Sequence, residues 1–286
     1  MPIVTRLTNN TLEHVAEKPP NVRNSSDCDV DSRVAIQNLS EELRSFNQGF
    51  DVMSQSASIE WWNKSLDEVG IHSMDKLVAA DDAWGSVLQS GRDDLTRAIA
   101  ITGMKCGKDR TAVEVGCGLG RMSAALADLF GDVVGIDIAP RLIEEACRRN
   151  DRTNVRFEVA DGVHLRPACI DECDTLFSYE VFYYIDKPAL TTYFEDAFAL
   201  LRSGGEFVFQ LNLEPLRLKT RLSFLLRRML YACGIKEWRG WPTGAGYRRY
   251  YHSPDWLRST LTRIGFRVEK ITGPTARQTW IVASKP

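Results

Sequence analysis

The stretch Val113-Glu114-Val115-Gly116-Cys117-Gly118-Leu119-Gly120-Arg121 passes from an apolar strand through three alternating glycines into a helix. Glycine is needed where the backbone adopts torsions that other residues avoid, or where it approaches a ligand closely. A dinucleotide-binding turn prefers G-x-G-x-x-G, and here Arg121 stands where the third glycine of that pattern would be. The stretch therefore predicts a ligand-binding strand-to-helix turn without the spacing that suits a pyrophosphate.

Acidic residues follow the next two predicted strands. The apolar strand Val133–Asp137 ends in an acid 21 residues after Gly116, and the strand 155–159 is followed by Asp161. A carboxylate at position 137 can accept hydrogen bonds from both hydroxyls of a ribose. Asp161 can accept from an exocyclic amine such as that of adenine, and a plain Asp-Gly turn is the alternative interpretation.

From residue 111 onward, short apolar runs alternate with helical segments, a pattern typical of βαβ units around a parallel sheet. The predicted strands are Ala112–Val115, Val133–Asp137, Val155–Val159, Thr175–Ser178, Glu206–Leu211, Phe266–Ile271 and Thr279–Ala283. The predicted helices are 120–130, 140–149, 188–202 and 254–264. Ser253 and Pro254 predict the N-cap and first residue of the last helix.

The amino-terminal third has a different pattern. Residues 1–32 are polar and broken by prolines, which predicts a disordered tail. Residues 33–105 have helical apolar spacing and predict a small helical cap on a ligand-binding domain at 106–286. The helices predicted within the cap are 33–46, 57–68, 73–89 and 92–103.

Composition excludes several classes of protein. The net charge of −2 over 286 residues argues against a surface broadly coated in positive charge for nonspecific nucleic-acid binding. Seven scattered cysteines without a CxxC pair indicate neither a disulfide framework nor a metal site, and favour a reducing cytoplasm. No signal peptide or long apolar run is visible, so we expect a soluble, cytoplasmic protein.

Residues 111–212 resemble the core of the class I S-adenosylmethionine-dependent methyltransferases. The stretch Gly116–Gly120 matches their glycine-rich first motif, Asp137 their ribose acid and Asp161 their adenine-side acid. Residues 201–205, Leu-Arg-Ser-Gly-Gly, resemble their L-x-P-G-G turn, with serine in place of proline. The resemblance implies a doubly wound α/β fold with a mostly parallel seven-stranded sheet, and S-adenosyl-L-methionine as the cofactor.

The resemblance also implies which residues bind the cofactor. In such proteins Glu114 lies beneath the methionine part and often helps to hold its ammonium, whereas Cys117 is a small residue that lets the cofactor approach. The implied cofactor-binding residues are Glu114, Gly116, Cys117, Gly118, Gly120, Asp137, Ile138, Asp161, Gly162, Ser178 and Tyr179.

Methyl transfer is an in-line displacement, for which the protein mainly positions and desolvates the acceptor. A hydroxyl acceptor also needs a base. The candidates are Glu180 and Tyr183, which follow the fourth strand, and His252, for which we predict a position at the rim of the pocket. A packing or cofactor-contact role is the alternative for each.

The segment 213–252 carries nine basic and two acidic residues, so its net charge is +7 while the remainder of the chain is −9. Leu218, Leu222, Leu225 and Met229 recur at helical spacing, which predicts an amphipathic helix. Three interpretations are open: a helix that covers the core through its leucines, a lid over the acceptor, and a contact with an anionic membrane surface. The candidate lid residues are Trp61, Trp62, Trp241, Tyr247, Arg248, Arg249 and Tyr251.

These observations predict methyl transfer to an oxygen or nitrogen of a small-molecule acceptor, anionic or ring-bearing, in biosynthesis: a sugar, a natural product or a lipid-linked precursor. A nucleic-acid base is less favoured, because the fourth strand is followed by Ser178-Tyr179-Glu180-Val181 and not by N/D-P-P-Y/F. The alternatives are an RNA or protein methyltransferase and a non-catalytic cofactor-binding subunit. The oligomeric state is left open.

Overall fold

The computed structural model describes residues 62, 84–165, 167, 169–213, 218–235, 237–238, 241–243, 250–275 and 278–286. All of them lie within one structural unit, Val52–Pro286. The predicted tail and most of the predicted cap lie outside the described residues, as do Trp61, Tyr247, Arg248 and Arg249.

Helices and strands alternate along the described residues. The helices are α1 (Trp84–Thr102), α2 (Arg121–Ala127), α3 (Pro140–Arg149), α4 (Lys187–Leu200), α5 (Leu218–Ala232) and α6 (Pro254–Ile264), with a 3-10 turn at Phe182–Tyr184. The strands are β1 (Gly107–Val115), β2 (Phe130–Asp137), β3 (Val155–Val159), β4 (Cys173–Ser178), β5 (Leu201–Leu211), β6 (Glu237–Trp238), β7 (Trp241–Pro242), β8 (Arg267–Thr275) and β9 (Gln278–Ser284). None of the helices among these residues combines the length and apolarity that a membrane crossing requires.

Seven of these strands form one sheet in the order β3-β2-β1-β4-β5-β9-β8. Strands β1 to β5 are parallel, and β9 runs antiparallel to both β5 and β8. The predicted α/β fold with a mostly parallel seven-stranded sheet is confirmed. The strand order reverses at β1, which lies between β2 and β4, and open α/β sheets bind their ligands at the carboxyl ends of the strands at such a point.

Successive side chains of the central strands point to opposite faces of the sheet and are buried on both. Leu176 of β4 and Phe207 of β5 belong to the core on the face covered by α4 and α6, whereas Phe177 and Val208 belong to the core on the face covered by α1 and α2. Burial on both faces explains why these strands are continuous apolar runs. Phe182 of the 3-10 turn is fully buried in the first of these cores.

Helix α1 differs from its prediction. The spacing predicts two helices separated near Gly91, but the chain between Trp84 and Thr102 is a single helix. A Cβ atom at Gly91 would lie 2.4 Å from the backbone oxygen of Arg121. The predicted break is wrong because this glycine allows α1 to approach the glycine turn and does not end the helix.

The start of α6 follows the prediction closely. Pro254 is its first residue, and the Ser253 hydroxyl accepts a hydrogen bond from the Trp256 backbone N–H at 3.3 Å. Gly265 ends the helix in the left-handed conformation, with φ of 118°. A polar N-cap, a proline at the first position and a terminal glycine are local signals, which is why the sequence predicts both bounds.

Helix α5 is present, but its leucines do not cover the core. Leu218, Leu222, Leu225 and Met229 are 69%, 56%, 50% and 60% exposed. The interpretation in which this helix covers the core through its leucines is therefore wrong. The half-buried residues lie on another face of the helix, as described below.

Candidate functional site

The glycine turn between β1 and α2 is fixed by its own backbone. Gly116, Gly118 and Gly120 have φ of 78°, 53° and 83°, in the left-handed region that side chains with a Cβ rarely adopt. A Cβ at Gly116 would lie 2.2 Å from Val181, so the turn also approaches the chain that follows β4. The N–H of Gly116 donates to the carbonyl of Ile136 at 2.7 Å, which ties the turn to the end of β2.

Asp137 ends β2 beside this turn. One carboxylate oxygen accepts from the Gly118 N–H at 2.9 Å and the other from the Ala139 N–H at 3.0 Å. Burial raises the pKa of Asp137, and the hydrogen bonds from Ala139, Gly118 and Ile138 oppose this shift. Because a carboxylate has about four lone-pair positions, Asp137 can accept further hydrogen bonds while it holds the turn.

Glu114 is a buried acid in the strand that leads into the turn. It accepts a short hydrogen bond from the hydroxyl of Ser123 on α2. Burial raises the pKa of Glu114 to about 7; the bond to Ser123 and the charge of Arg121 lower it, and the charge of Asp137 adds to the rise. A cation placed beside such a group favours its ionised form.

Asp161 follows β3 and is exposed. Its Oδ1 accepts from the N–H groups of Val163 and His164, both at 2.7 Å, and Gly162 has φ of 76°. Partial burial opposes the effect, but the hydrogen bonds from His164 and Val163 lower the pKa of Asp161. The Asp-Gly turn is thus present, and the adenine-side role of Asp161 and Gly162 stays a prediction.

The end of β4 contributes the next three positions. The buried Ser178 hydroxyl donates to the carbonyl of Val115 at 3.1 Å, and Tyr179 lies under the guanidinium of Arg121, 5.4 Å from its ring centroid. Glu180 is exposed and has φ of 59°, and no other non-glycine residue has a positive φ in the part of the chain that the structure describes. Such strained backbone is concentrated at functional sites.

Cys117 and Ile138 complete the predicted cofactor-binding set. The Cys117 thiol is buried, and burial, with the charges of Asp137 and Glu114, raises its pKa well above the usual value. The thiol is therefore neutral near pH 7, which suits a small neighbour of a ligand and not a nucleophile. Ile138 is half-buried beside Asp137.

Sequence reasoning missed Asp94 of α1. Its carboxylate lies 2.8 Å from Nη1 of Arg121 and also binds Arg97, and both Asp94 and Arg121 are largely buried. Val87, Gly91, Asp94 and Ala98 are all buried on one face of α1. This spacing could have identified Asp94 from the sequence, because an acid among apolar and small residues on a buried helix face needs a cationic partner.

Aromatic residues from the predicted cap lie beside the glycine turn. Trp62 packs against the small cluster of Leu119, Ala139 and Leu142, and its ring meets that of Tyr184 edge to face at 5.6 Å. Trp84 packs against the same cluster. Trp62 therefore contacts both the glycine turn and the loop after β4, as we expect of a residue that covers the candidate site.

His252 does not lie at a pocket rim, and the prediction of that position is wrong. Its side chain is fully buried and stacks on Trp256, with 5.1 Å between ring centroids. Burial lowers its pKa to about 4, and the charge of Lys187 contributes to the decrease. Within the described residues, neither ring nitrogen has a partner in hydrogen-bond geometry.

The end of the 213–252 segment returns to the carboxyl ends of β4 and β5. The Tyr250 N–H donates to the carbonyl of the buried Tyr183 at 2.7 Å, and the His252 N–H donates to that of Asn212 at 3.1 Å. Tyr251 between them is half-buried. Trp241, another candidate lid residue, pairs through its backbone with Trp238 in the β6–β7 hairpin.

Comparison with known proteins agrees with this geometry. Residues 112–205 match the family described as a methyltransferase domain. An 18S rRNA (guanine-N(7))-methyltransferase of Bos taurus is 29% identical over 134 residues, which is 43% of this chain and 48% of that protein. A probable S-adenosylmethionine-dependent methyltransferase of Saccharomyces cerevisiae is 26% identical over 113 residues, 38% of each chain. This chain thus spans less than half the length of these curated relatives.

A solved structure gives the same fold. Magnesium protoporphyrin IX methyltransferase of Synechocystis PCC 6803, determined with bound SAH, superposes with a TM-score of 0.52 at 16% identity, over 78% of this chain and 98% of that chain. At this identity the likeness concerns the fold alone. Residues 112–205 therefore form a methyltransferase domain, and the sheet order and the glycine turn have the arrangement of the class I, Rossmann-like S-adenosylmethionine-dependent methyltransferases.

Proposed function

We propose that this protein binds S-adenosylmethionine at the carboxyl edge of β1 to β4 and methylates an oxygen or nitrogen of a small-molecule acceptor. The observation that carries the proposal is Asp137, whose carboxylate is fixed by the Gly118 and Ala139 N–H groups at the switch point of the sheet. Binding there precedes any chemistry, and the two parts of the proposal are tested separately below.

The chemistry of the site suits this cofactor. S-adenosylmethionine carries an ammonium, a sulfonium, two ribose hydroxyls and an adenine amine, all of which are cationic or can donate hydrogen bonds. The acids near the turn, Glu114, Asp137 and Asp161, are anionic or accept hydrogen bonds. The nearby cation Arg121 is already paired with Asp94, so it is not arranged to bind a pyrophosphate.

Each side chain has a role that follows from its position. Asp137 would accept from the ribose hydroxyls, Asp161 and Gly162 would lie at the adenine, and Glu114, which an adjacent cation would ionise, would hold the ammonium. When bound, the cofactor supplies a methyl group on a positively charged sulfur. The protein then has to orient the acceptor, exclude water and remove a proton where the acceptor is a hydroxyl.

For that proton we favour Glu180 over His252 and Tyr183. Glu180 is exposed on strained backbone next to Tyr179 at the end of β4, whereas the rings of His252 and Tyr183 are buried. A fully buried imidazole with a pKa of about 4 is also a weak base near neutral pH. Glu180 therefore combines access to an acceptor with a negative charge.

The proposed acceptor pocket lies between the loop after β4 and the covering aromatics. Trp62 and Tyr184 would supply an apolar wall, and residues 250–252, bound to the backbone of Tyr183 and Asn212, would close the other side. An aromatic-lined space of this kind suits a ring-bearing or lipid-linked molecule. Arg248 and Arg249 would add charge for an anionic acceptor.

RNA is the second candidate acceptor. The bovine relative is named as an 18S rRNA methyltransferase, and the segment 213–252 of this chain has a net charge of +7. A basic surface that follows a phosphate backbone would give binding that falls steeply with salt. Because a small acceptor carries few charges, its binding should fall much less with salt, and the steepness of the salt response separates the two acceptors.

Turnover tests the proposal directly. The full chain is incubated with S-adenosylmethionine and either a metabolite extract or total rRNA, and S-adenosylhomocysteine is measured against the Asp137→Ala variant. We expect product with the extract and only background with rRNA. Product with rRNA alone would establish the second candidate, and binding of S-adenosylhomocysteine without turnover on either would indicate a non-catalytic subunit.

A further inference from the structure

We propose that helix α5 docks on an anionic lipid surface. Its apolar stripe, defined as Leu218, Leu222, Leu225, Leu226 and Met229, is 41–69% exposed throughout. These positions follow the spacing i, i+4, i+7, i+8 and i+11, which places them on one face of a helix. Five large apolar side chains on one exposed face form a continuous patch, and such patches mark interaction sites more often than single exposed leucines do.

The other side of α5 contacts the protein. Ser223, Phe224, Arg227 and Leu230 are half-buried, and the guanidinium of Arg227 lies over the ring of Trp238, 5.5 Å from its centroid. Helix α5 thus uses a mixed face for its internal contacts, while its most apolar face points away from them. This is the reverse of the usual arrangement of a surface helix, in which the apolar face covers the core.

The positive charge of α5 favours an anionic partner. Its basic residues are Lys219, Arg221, Arg227 and Arg228, and it has no acidic residue. A helix with leucines on one face, several Lys and Arg residues and no acid is typical of helices that lie in the interface of a membrane. Anionic lipids attract basic segments at their surface, so an anionic bilayer satisfies both the apolar stripe and the charge.

Other occupants of the stripe are less well matched. In a second copy of the chain, stripe-to-stripe packing would bring together two helices with four basic residues each, and these would repel one another. Residues 1–83 carry 7 basic and 14 acidic residues, so their charge is complementary to α5. These residues match the charge of α5 but do not provide the extended apolar layer that a bilayer provides. The experiment distinguishes a second copy and the amino-terminal segment from lipid.

Helix α5 is also close in the chain to the candidate site. Helix α5 begins seven residues after Leu211, the last residue of β5, at the carboxyl edge of the sheet where Asp137 lies. The helix is therefore joined in the chain to the edge of the sheet that carries the candidate site. The docking does not depend on methyl transfer, and its test measures only the binding of the protein to vesicles.

The test uses the full chain and large unilamellar vesicles, with binding measured by flotation. Binding to vesicles of phosphatidylcholine that contain about 30% anionic phosphatidylglycerol is compared with binding to vesicles of pure phosphatidylcholine. We expect binding to the anionic vesicles that falls at least tenfold in about 0.5 M salt or on pure phosphatidylcholine, because salt screens the attraction between basic residues and anionic headgroups. Equal binding to both vesicles, or none to either, would overturn the proposal.

Variants identify the surface. Leu222→Ser combined with Met229→Ser should weaken vesicle binding at least tenfold, and Lys219→Gln roughly fivefold, since one basic residue near an anionic surface contributes about that factor. Tyr231→Ser is the matched control: it removes an exposed aromatic from the same helix, two residues from Met229 and away from the stripe, and should keep binding. Equal losses in the double variant and the control would contradict docking through the stripe.

The same samples also show whether the chain forms a dimer through the stripe and whether its own amino-terminal segment covers the stripe. If the chain is a dimer that the double serine variant converts to a monomer, and vesicles are not bound, a second copy occupies the stripe. If the chain is a monomer that binds no vesicles in low salt, but binds after charge reversal at Glu41 and Glu42, the acidic amino-terminal segment covers it. Either result overturns the proposal.

Discussion

Single carboxylates in the candidate site have two tasks at once, because the same oxygens that would bind a ligand also hold the glycine turn. Asp137 accepts from Gly118 and Ala139, and Glu114 accepts from Ser123. The backbone near the turn is thus set before a ligand arrives. This arrangement lowers the entropy that binding must remove, and it makes each acid separately testable.

Replacement of Asp137 by alanine should weaken the binding of S-adenosylhomocysteine at least tenfold. Two charge-assisted hydrogen bonds to ribose would be lost, each of roughly 1.5–3 kcal/mol. Titration calorimetry measures the affinity. Asp132→Ala is the control, since Asp132 lies on the same strand but pairs with Arg156 at 2.6 Å near its other end. An unchanged affinity in Asp137→Ala would remove this residue from the site.

Glu114 gives a prediction about pH. Its pKa of about 7 in the folded chain lies above the ordinary value of 4.5, so the unfolded chain loses this proton first as the pH rises. The stability that this group contributes is complete below about pH 4.5 and is lost as the pH approaches 7, by at most about 3 kcal/mol. Glu114→Gln should lack that loss.

Urea unfolding without cofactor at pH 5 and pH 8 measures this difference. We expect Glu114→Gln to gain stability relative to the unchanged chain between the two pH values, because only the glutamate must ionise in a buried position. Other titrating groups are common to both proteins and cancel. A stability difference that stays constant with pH would mean that Glu114 is already charged in the folded protein.

At the scale of whole elements, α1 holds the glycine turn from outside the matched domain. Gly91 lets the helix approach the backbone of Arg121, and Asp94 pairs with its guanidinium. The family match begins at residue 112, so this helix lies before it in the chain. The turn that would bind the cofactor therefore depends on a helix that the family comparison does not include.

Two alanine substitutions in α1 test this dependence. A Cβ at Gly91 would lie 2.4 Å from the Arg121 oxygen, which is backbone and moves only with the turn, so Gly91→Ala should destabilise the fold by about 1–3 kcal/mol and weaken cofactor binding. Gly85→Ala in the same helix meets nothing within 4 Å and should stabilise by up to about 1 kcal/mol. Thermal melting and calorimetry compare the two, and equal effects would contradict a specific contact with the turn.

The elements also show what the sequence could and could not predict. Strand bounds such as Val155–Val159 and the cap at Ser253 follow from local patterns of apolar, polar and proline residues, and the structure has them. The continuity of α1 through Gly91 and the exposure of Leu222 could not be predicted, because each depends on what lies opposite in three dimensions. The burial of His252 could not be predicted for the same reason: its place just before a helix start favoured a pocket rim, but its buried ring stacks on Trp256.

For the molecule as a whole, one sheet brings together residues that are far apart in the chain. The parallel order of β1 to β4 brings Asp137, Glu180 and the glycine turn to one edge. The fold alone is shared with dinucleotide-binding proteins, so the choice of ligand depends on how the turn is built. In this chain, the place of the third dehydrogenase glycine is taken by Arg121, whose side chain is bound to Asp94 and lies over Tyr179.

This construction predicts the response of the full chain to ligands. S-adenosylhomocysteine at 100 times its dissociation constant should stabilise the fold by about 2.7 kcal/mol, which a melting experiment detects easily. NAD at the same concentration should give no shift, because Arg121 stands where a dinucleotide-binding turn has the glycine that opens the helix terminus to a pyrophosphate. Adenosine is a useful third ligand, since it keeps the ribose and adenine but lacks the ammonium that Glu114 would hold. We expect adenosine to give a smaller shift than S-adenosylhomocysteine in the unchanged chain, and we expect Glu114→Gln to reduce that difference. Stabilisation by NAD and not by S-adenosylhomocysteine would overturn the proposed cofactor, whereas equal shifts with adenosine and S-adenosylhomocysteine would keep it and remove Glu114 from the methionine end.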